Sequence, residues 1–232
     1  QQTYTRFLDL QKAEEQARES QINLAVERIR AMALAMHQTS ELKEVIKIVD
    51  DQIKALNVDN SGGAFIVINE DLQDGFSCWG AGGVGNYIRK VDIPFLDRPI
   101  YKELKKGIEN RTPFFTENYG YEEKWEFFKH LFKHAPFDET PPERQKALLS
   151  NSMGYARSCV VSNNTSIFII NHNGKAFKED ENKILREIGR VFEQAYTRFL
   201  DLQKAEAQAR EAQIEAALET LQGLWCQTNL RH

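Results

Sequence analysis

The sequence predicts an α+β protein, one antiparallel sheet with helices, flanked by long N- and C-terminal coiled-coil helices. Three observations lead there. A 24-residue segment occurs twice, YTRFLDLQKAEEQARESQINLAVE at 4–27 and YTRFLDLQKAEAQAREAQIEAALE at 196–219, with five of 24 positions changed. Between the copies, short runs rich in β-branched and aromatic residues alternate with Gly, Asn and Pro breakers. Other stretches repeat apolar residues every three or four positions, the period of an amphipathic helix.

Composition bounds the answer. At 232 residues the chain holds one good core plus helical arms, since single domains run to roughly 100–200 residues. Charged residues at 28% and hydrophobic ones at 41% suit a packed centre with solvated helices. A net charge of -4 gives no basic field for nucleic acid. The longest apolar runs, at 64–68 and 166–170, fall far short of the roughly 20 residues a membrane helix needs. No charged-then-apolar leader is visible, so a cytoplasmic location is expected. Cys78, Cys159 and Cys226 are odd in number, widely spaced and outside any CxxC pair, which suits reduced thiols better than disulfides or zinc.

Both repeat copies are rich in Ala, Glu, Gln, Lys, Leu and Arg and lack Gly and Pro, so each should be one long helix. In the first, Ile22, Ala25, Ile29, Met32 and Met36 follow the 3-4 spacing of a coiled-coil seam. Phe7 and Leu10 fall on a frame shifted by one residue, across an almost wholly polar stretch at 14–21. In the second, Leu185, Ile188, Phe192, Ala195, Phe199 and Leu202 share one frame, and Ile214, Ala217, Leu221 and Leu224 the shifted one. Parallel dimerisation through these seams is expected, the two frames being alternative packings that the domain between the copies biases. The competing reading is a pair of amphipathic arms packed on their own domain. The offset of 192 residues between copies exceeds any solenoid period. The unit is therefore one helix plus one domain, carried in tandem by a longer parent chain.

The intervening elements follow in order. Thr39-Ser40, with Glu41 and Glu44 in the first turn, should cap a helix whose Leu42, Val45, Ile46, Val49, Ile53 and Leu56 face a core. After the breaker DNSGG at 59–63, AFIVIN reads as a central strand. A turn at 70–75 leads into FSCWG at 76–80, closing a hairpin. VDIPF at 91–95 reads as an edge strand, because proline cannot donate to a central ladder. A helix at 99–110, a strand at 113–116, an aromatic-rich helix at 121–134 and a turn plus helix at 136–151 come next. Strands at 156–162 and 166–170 flank the turn pair Asn163-Asn164. A last helix, starting near Glu179, runs without a breaker into the second repeat copy. Helices are expected on one side of the sheet. The boundaries implied are 1–39 for an N-terminal helix, 40–194 for the domain and 195–232 for a C-terminal helix. Gly223 and Trp225 should weaken the end of that last helix, and a start at Gln1 rather than Met suggests a fragment.

This order resembles the GAF family. The resemblance is carried by the helix at 42–56, GAFIVINED at 63–71, RTPFFTEN at 111–118 and SIFIINHNGKAFKEDENKILREIG at 166–189. AYTRFLDLQKAEAQAREAQIEAALE looks like the linker between sensor domains of multidomain bacterial histidine kinases. The resemblance implies a regulatory module of a two-component or related system. Such a module is non-catalytic, homodimeric and placed upstream of kinase-type output domains, with or without a small-molecule ligand. Neither the cyclic-nucleotide signature of one GAF branch nor the cysteine context of bilin-binding or methionine-sulfoxide-reducing members can be placed.

A pocket roofed by the inserted helices would draw on Trp79, Tyr87, Arg89, Trp125, Phe128 and Tyr155, apolar walls with a few polar groups. The same aromatics also suit a filled core. Arg89 or Arg157 offers paired hydrogen bonds to an anion. His37, followed by Gln-Thr-Ser, lacks the context of a phosphate-accepting histidine. His130 and His134 share a helical face without the acidic residue of a zinc motif. The GAGGVG run at 80–85 lacks the Lys-Ser/Thr of a phosphate loop. No catalytic constellation, metal set or required cofactor emerges. A GAF-type redox enzyme is the minority alternative.

Overall fold

The computed structural model describes residues 2–69, 76–82 and 87–229. Gln1, the turn at 70–75, the end of the glycine run at 83–86 and residues 230–232 lie outside these, as do the side chains of residues 2–5, Thr39, Tyr87 and 220–229. The chain opens with α1 (Gln2–Leu34), turns through a short 3₁₀ segment (Thr39–Glu41) and folds back as α2 (Leu42–Ala55). The Glu41 carboxylate reaches back to accept from the His37 N–H at 2.7 Å, so this acidic residue satisfies a free amide ahead of α2. The end of α2 is closed by Asn57 at φ 56°. There the Asn57 and Val58 N–H groups donate to the Lys54 and Ile53 carbonyls, the left-handed cap that Asn tolerates well.

Six strands follow in two groups. These are β1 (Gly63–Ile68), β2 (Phe76–Gly82) and β3 (Tyr87–Ile93), then β4 (Phe114–Tyr119), β5 (Tyr155–Val161) and β6 (Thr165–Asn171). They form one sheet in the order β3-β2-β1-β6-β5-β4, every pair antiparallel. Between β3 and β4 lies α3 (Pro99–Glu109); between β4 and β5 lie α4 (Tyr121–Leu131) and α5 (Pro142–Ser150). The last helix, α6 (Glu179–Asn229), is 51 residues long and unbroken. Gly223 does not interrupt it, in keeping with the cost of about 1 kcal/mol for one glycine in a helix.

Helices cover both faces of the sheet, which corrects the one-sided arrangement predicted. Ala64, Ile66, Ala156, Val160, Ile167 and Ile169 pack beneath α1, α2 and α6. Phe65, Val67, Phe76, Cys78, Cys159 and Phe168 pack beneath α3, α4 and α5. The reason is legible in β1 and β6, whose runs are apolar without alternation; that pattern belongs to strands buried on both sides. β3 is an edge strand, as the proline requires, but it occupies 87–93 and stops before Pro94. β4 is the other edge and extends to Tyr119, beyond the 113–116 predicted. Gly82 ends β2 at φ 92°, against the buried Asp50 carboxylate, where a Cβ would collide.

Arg18 donates to the Leu56 carbonyl at 2.7 Å and Arg28 to Gln52 at 3.2 Å, so α1 runs antiparallel to α2. The arm of α1 thus meets the domain near the end of α2, which leads to Gly62, itself bonded to the Ile170 carbonyl. α6 starts alongside β5, passes the β5–β6 turn and continues beyond it. The two arms therefore leave the domain at opposite ends of β6.

Candidate functional site

The 51-residue α6 runs from the sheet, and two polar clamps fix it there. Ser158 on β5 donates its buried hydroxyl to Asn182 Oδ1 at 2.8 Å. Further along, the Glu193 carboxylate takes four hydrogen bonds from the β5–β6 turn. They come from the Asn164 N–H and side-chain amide, both at 2.9 Å, and from the Thr165 N–H at 3.1 Å and hydroxyl at 2.7 Å. Between and beyond the clamps, Leu185, Ile188, Val191, Phe192, Ala195, Tyr196 and Phe199 are buried. A shift in the β5–β6 hairpin must therefore move α6 with it or break a charge-assisted network. Asn163-Asn164 is legible in the sequence as a turn; nothing there says that Glu193 grips it, because the partners lie 28–29 residues apart. Glu193→Ala is expected to cost about 1–3 kcal/mol, the penalty for stranding half-buried donors, read as a lower urea midpoint with unchanged slope. An unchanged midpoint would show that the clamp contributes nothing.

The residues predicted as an interchain seam are placed as follows. Ala25, Ile29, Met36, Phe192 and Phe199 are buried in the chain's own core, with Ile22 half-buried against it. Met32 and Leu202 remain exposed, Leu202 at 53%. Over its C-terminal half α1 uses its apolar stripe within the chain, while residues 6–17 of α1 and 201–219 of α6 are exposed throughout.

The five predicted pocket residues whose side chains are described do not converge. Trp79 packs on the α2 and α6 side of the sheet, because Phe76 and Cys78 take the opposite face and side chains alternate along a strand. Phe128 and Tyr155 lie together under the roof, joined through His172, whose ring centre is 5.3 Å from Phe128 and 6.2 Å from Tyr155. Arg89 is half-buried with its guanidinium 5.9 Å above the Phe137 ring. Trp125 is half-buried on α4, with the Lys129 ammonium 4.1 Å from its ring centre. Of Tyr87 the backbone alone is described, paired with Gly82. Under α3 and α4 the expected hollow is mostly filled by Phe65, Phe76, Tyr101, Phe127 and Phe168.

Arg157, weighed above as an anion ligand, is consumed inside the fold. Its Nε donates to Glu117 at 2.6 Å, its Nη2 reaches the same carboxylate and also the Ile100 carbonyl at 2.9 Å. Burial pushes the Glu117 carboxyl up, with the Arg157 charge opposing it.

A cavity does exist at the margin of the roof. It measures about 300 Å³ and is lined by Ser61, Arg144, Leu148, Asn151, Met153 and His172. His172 Nδ1 is buried without a hydrogen-bond partner. Burial, then the charges of Lys124 and Arg144, holds this imidazole down to about 4, so it is neutral at ordinary pH. Sequence reading missed it, since a lone histidine before Asn-Gly reads as a turn.

Chemistry elsewhere is quiet. Burial pushes both the Cys78 and Cys159 thiols well above their ordinary range, the opposite of what a reactive thiolate needs. The His130 and His134 rings lie 4.5 Å apart and tilted by 45°, and His37 is exposed. Among the described residues no group of three His, Cys, Asp or Glu side chains is placed to hold a metal ion, and no helix is long and apolar enough to cross a membrane.

Comparison with known proteins yields no matching family model and no matching curated protein. Among solved structures, the chain is similar to the GAF domain of a phosphoenolpyruvate-protein phosphotransferase from Coxiella burnetii. The identity is 12% and the TM-score 0.41, over 82% of this chain and 97% of that one.

Proposed function

We infer that the chain is a GAF-type sensory and dimerisation module of a larger cytoplasmic signalling protein, non-catalytic in itself. It passes a ligand- or partner-induced change along its helices to a kinase-type output of a bacterial two-component or related system. The observation that carries this reading is α6. It begins on the sheet at Glu179, is clamped to the β5–β6 hairpin through Glu193, and continues without a break through the repeated segment to Asn229. A sheet-borne shift then has a rigid exit along α6. The second reading, a small-molecule sensor, is favoured by the cavity with the buried, unpartnered His172 Nδ1 and adds an input to the same relay.

Dimerisation is the testable core of the proposal. Leu10 is 60% and Leu202 53% exposed, one on each arm and equivalent in the repeat, which makes them the large apolar residues left uncovered in both copies. Light scattering is expected to give twice the 26.8 kDa of one chain. The Leu10→Glu, Leu202→Glu variant should give one chain mass with its unfolding midpoint unchanged. A wild type that stays monomeric across the micromolar range overturns the autonomous dimer.

A further inference from the structure

The two copies of the repeat carry nearly the same sequence, yet the domain grips different halves of them. In the second copy Tyr196 and Phe199 are 3% exposed and Leu200 is half-buried, all packed on the domain that precedes them. Their equivalents in the first copy, Phe7 at 55% and Leu8 at 45%, stand in solvent. The second half of the repeat reverses this. Ala25 and Val26 in the first copy are 3% and 6% exposed and Ile22 is half-buried, packed on the domain that follows. Their equivalents Ile214 and Leu218 are each 55% exposed, and Ala217 is exposed as well. What is bare in one copy is covered in the other, and the chain itself shows what does the covering.

We propose that the repeated helix is a two-sided connector whose first half docks on a preceding domain and whose second half docks on a following domain of this same fold. Phe7 and Leu8 are then the seat for an upstream domain, presented as Phe199 and Leu200 are to this one. Ile214 and Leu218 are the seat for a downstream domain, presented as Ile22 and Val26 are. Five of the six seat residues are the same in both copies and the sixth changes only from Val26 to Leu218, as expected if both halves must be kept in every copy whichever neighbour is present. Leu10 and Leu202, bare in both copies, fall outside both seats. The seats thus do not depend on the dimer face tested above.

The experiment joins residues 28–219 of a second copy after Glu219, so that one repeat helix lies between two domains, and compares this chain with the single one. Ile214→Glu with Leu218→Glu keeps good helix formers at both positions. In the single chain this pair is expected to leave the melting curve and the solution mass unchanged. In the two-domain chain the same pair is expected to speed amide exchange in the downstream domain's entering helix by more than about tenfold, as burying two charges at packed positions requires. Equal exchange with and without the pair overturns the proposal, and so does an unsubstituted two-domain chain that does not fold its second domain. If the pair turns a single-chain dimer into a monomer, the face belongs to a second chain, and the connector is again overturned. Loss of the dimer with Leu10→Glu, Leu202→Glu alone bears on the relay reading and leaves this one standing.

Discussion

Arg157→Met is expected to remove about 3–5 kcal/mol of folding stability, the cost of stranding one partner of a buried ion pair. The side chains of Arg157 and Glu117 are 2% and 8% exposed, so water cannot replace the lost hydrogen bonds to the carboxylate. Adding Glu117→Met should restore most of the loss, because an apolar pair of similar volume needs no desolvation of charge. The deficit also carries a pH signature. Burial already lifts the Glu117 carboxyl and Arg157 holds it back; without Arg157 it rises further above its unfolded value of about 4.3. The folded variant then binds more protons than the unfolded chain above that value, and its stability falls as pH rises. Urea unfolding should therefore show a larger deficit near about pH 8 than near about pH 4. A loss below about 1 kcal/mol would place the pair among ordinary surface bridges and refute its structural role.

Phe192→Ala is expected to cost about 3–5 kcal/mol, as for other buried aromatic truncations. That corresponds to a fall of roughly 6–20 °C in melting temperature for a domain of this size. Phe192 is fully buried where α6 meets α1 and the sheet, its ring 5.9 Å from that of Tyr196. The same truncation ten residues on, Leu202→Ala, touches a side chain 53% exposed and should stay within about 0.5 kcal/mol. Calorimetry of the two variants locates the point where α6 leaves the domain. Similar losses at both positions would mean that the helix remains packed well past Phe199.

The helices at 42–55, 99–109 and 179 onward were legible because their apolar residues repeat at three and four over 11 or more positions. Both edge strands were legible in part: Pro94 marks one edge but not where its strand begins, since Tyr87 to Lys90 carry no strong β pattern. The second helical layer was legible in the unbroken apolar runs of β1 and β6, yet those runs read equally as one central strand each. The site was harder. Strand parity separates Trp79 from Phe128 and Tyr155, and parity is fixed by a register that composition does not reveal. Glu193, Arg157 and His172 take their meaning from partners 28 or more residues away or from the apolar groups around them. A 3-4 apolar stripe likewise shows that a helix face will be covered, and not whether its own domain or another chain covers it.

Along α6, Ile214 follows Tyr196 by 18 residues, and Ala217 and Leu218 follow Phe199 and Leu200 by the same step. At 3.6 residues per turn this step is about five turns and about 27 Å of rise, so both triads share one azimuth on an unbroken shaft. Bodies seated on the two triads would stand in line, on the same side, without stagger. A single inserted residue between them would swing one body by about 100° around the axis, whereas a whole heptad would turn it by only about 20°. The stretch between the triads is thus constrained in length as well as in composition, a spacer whose residue count sets an angle.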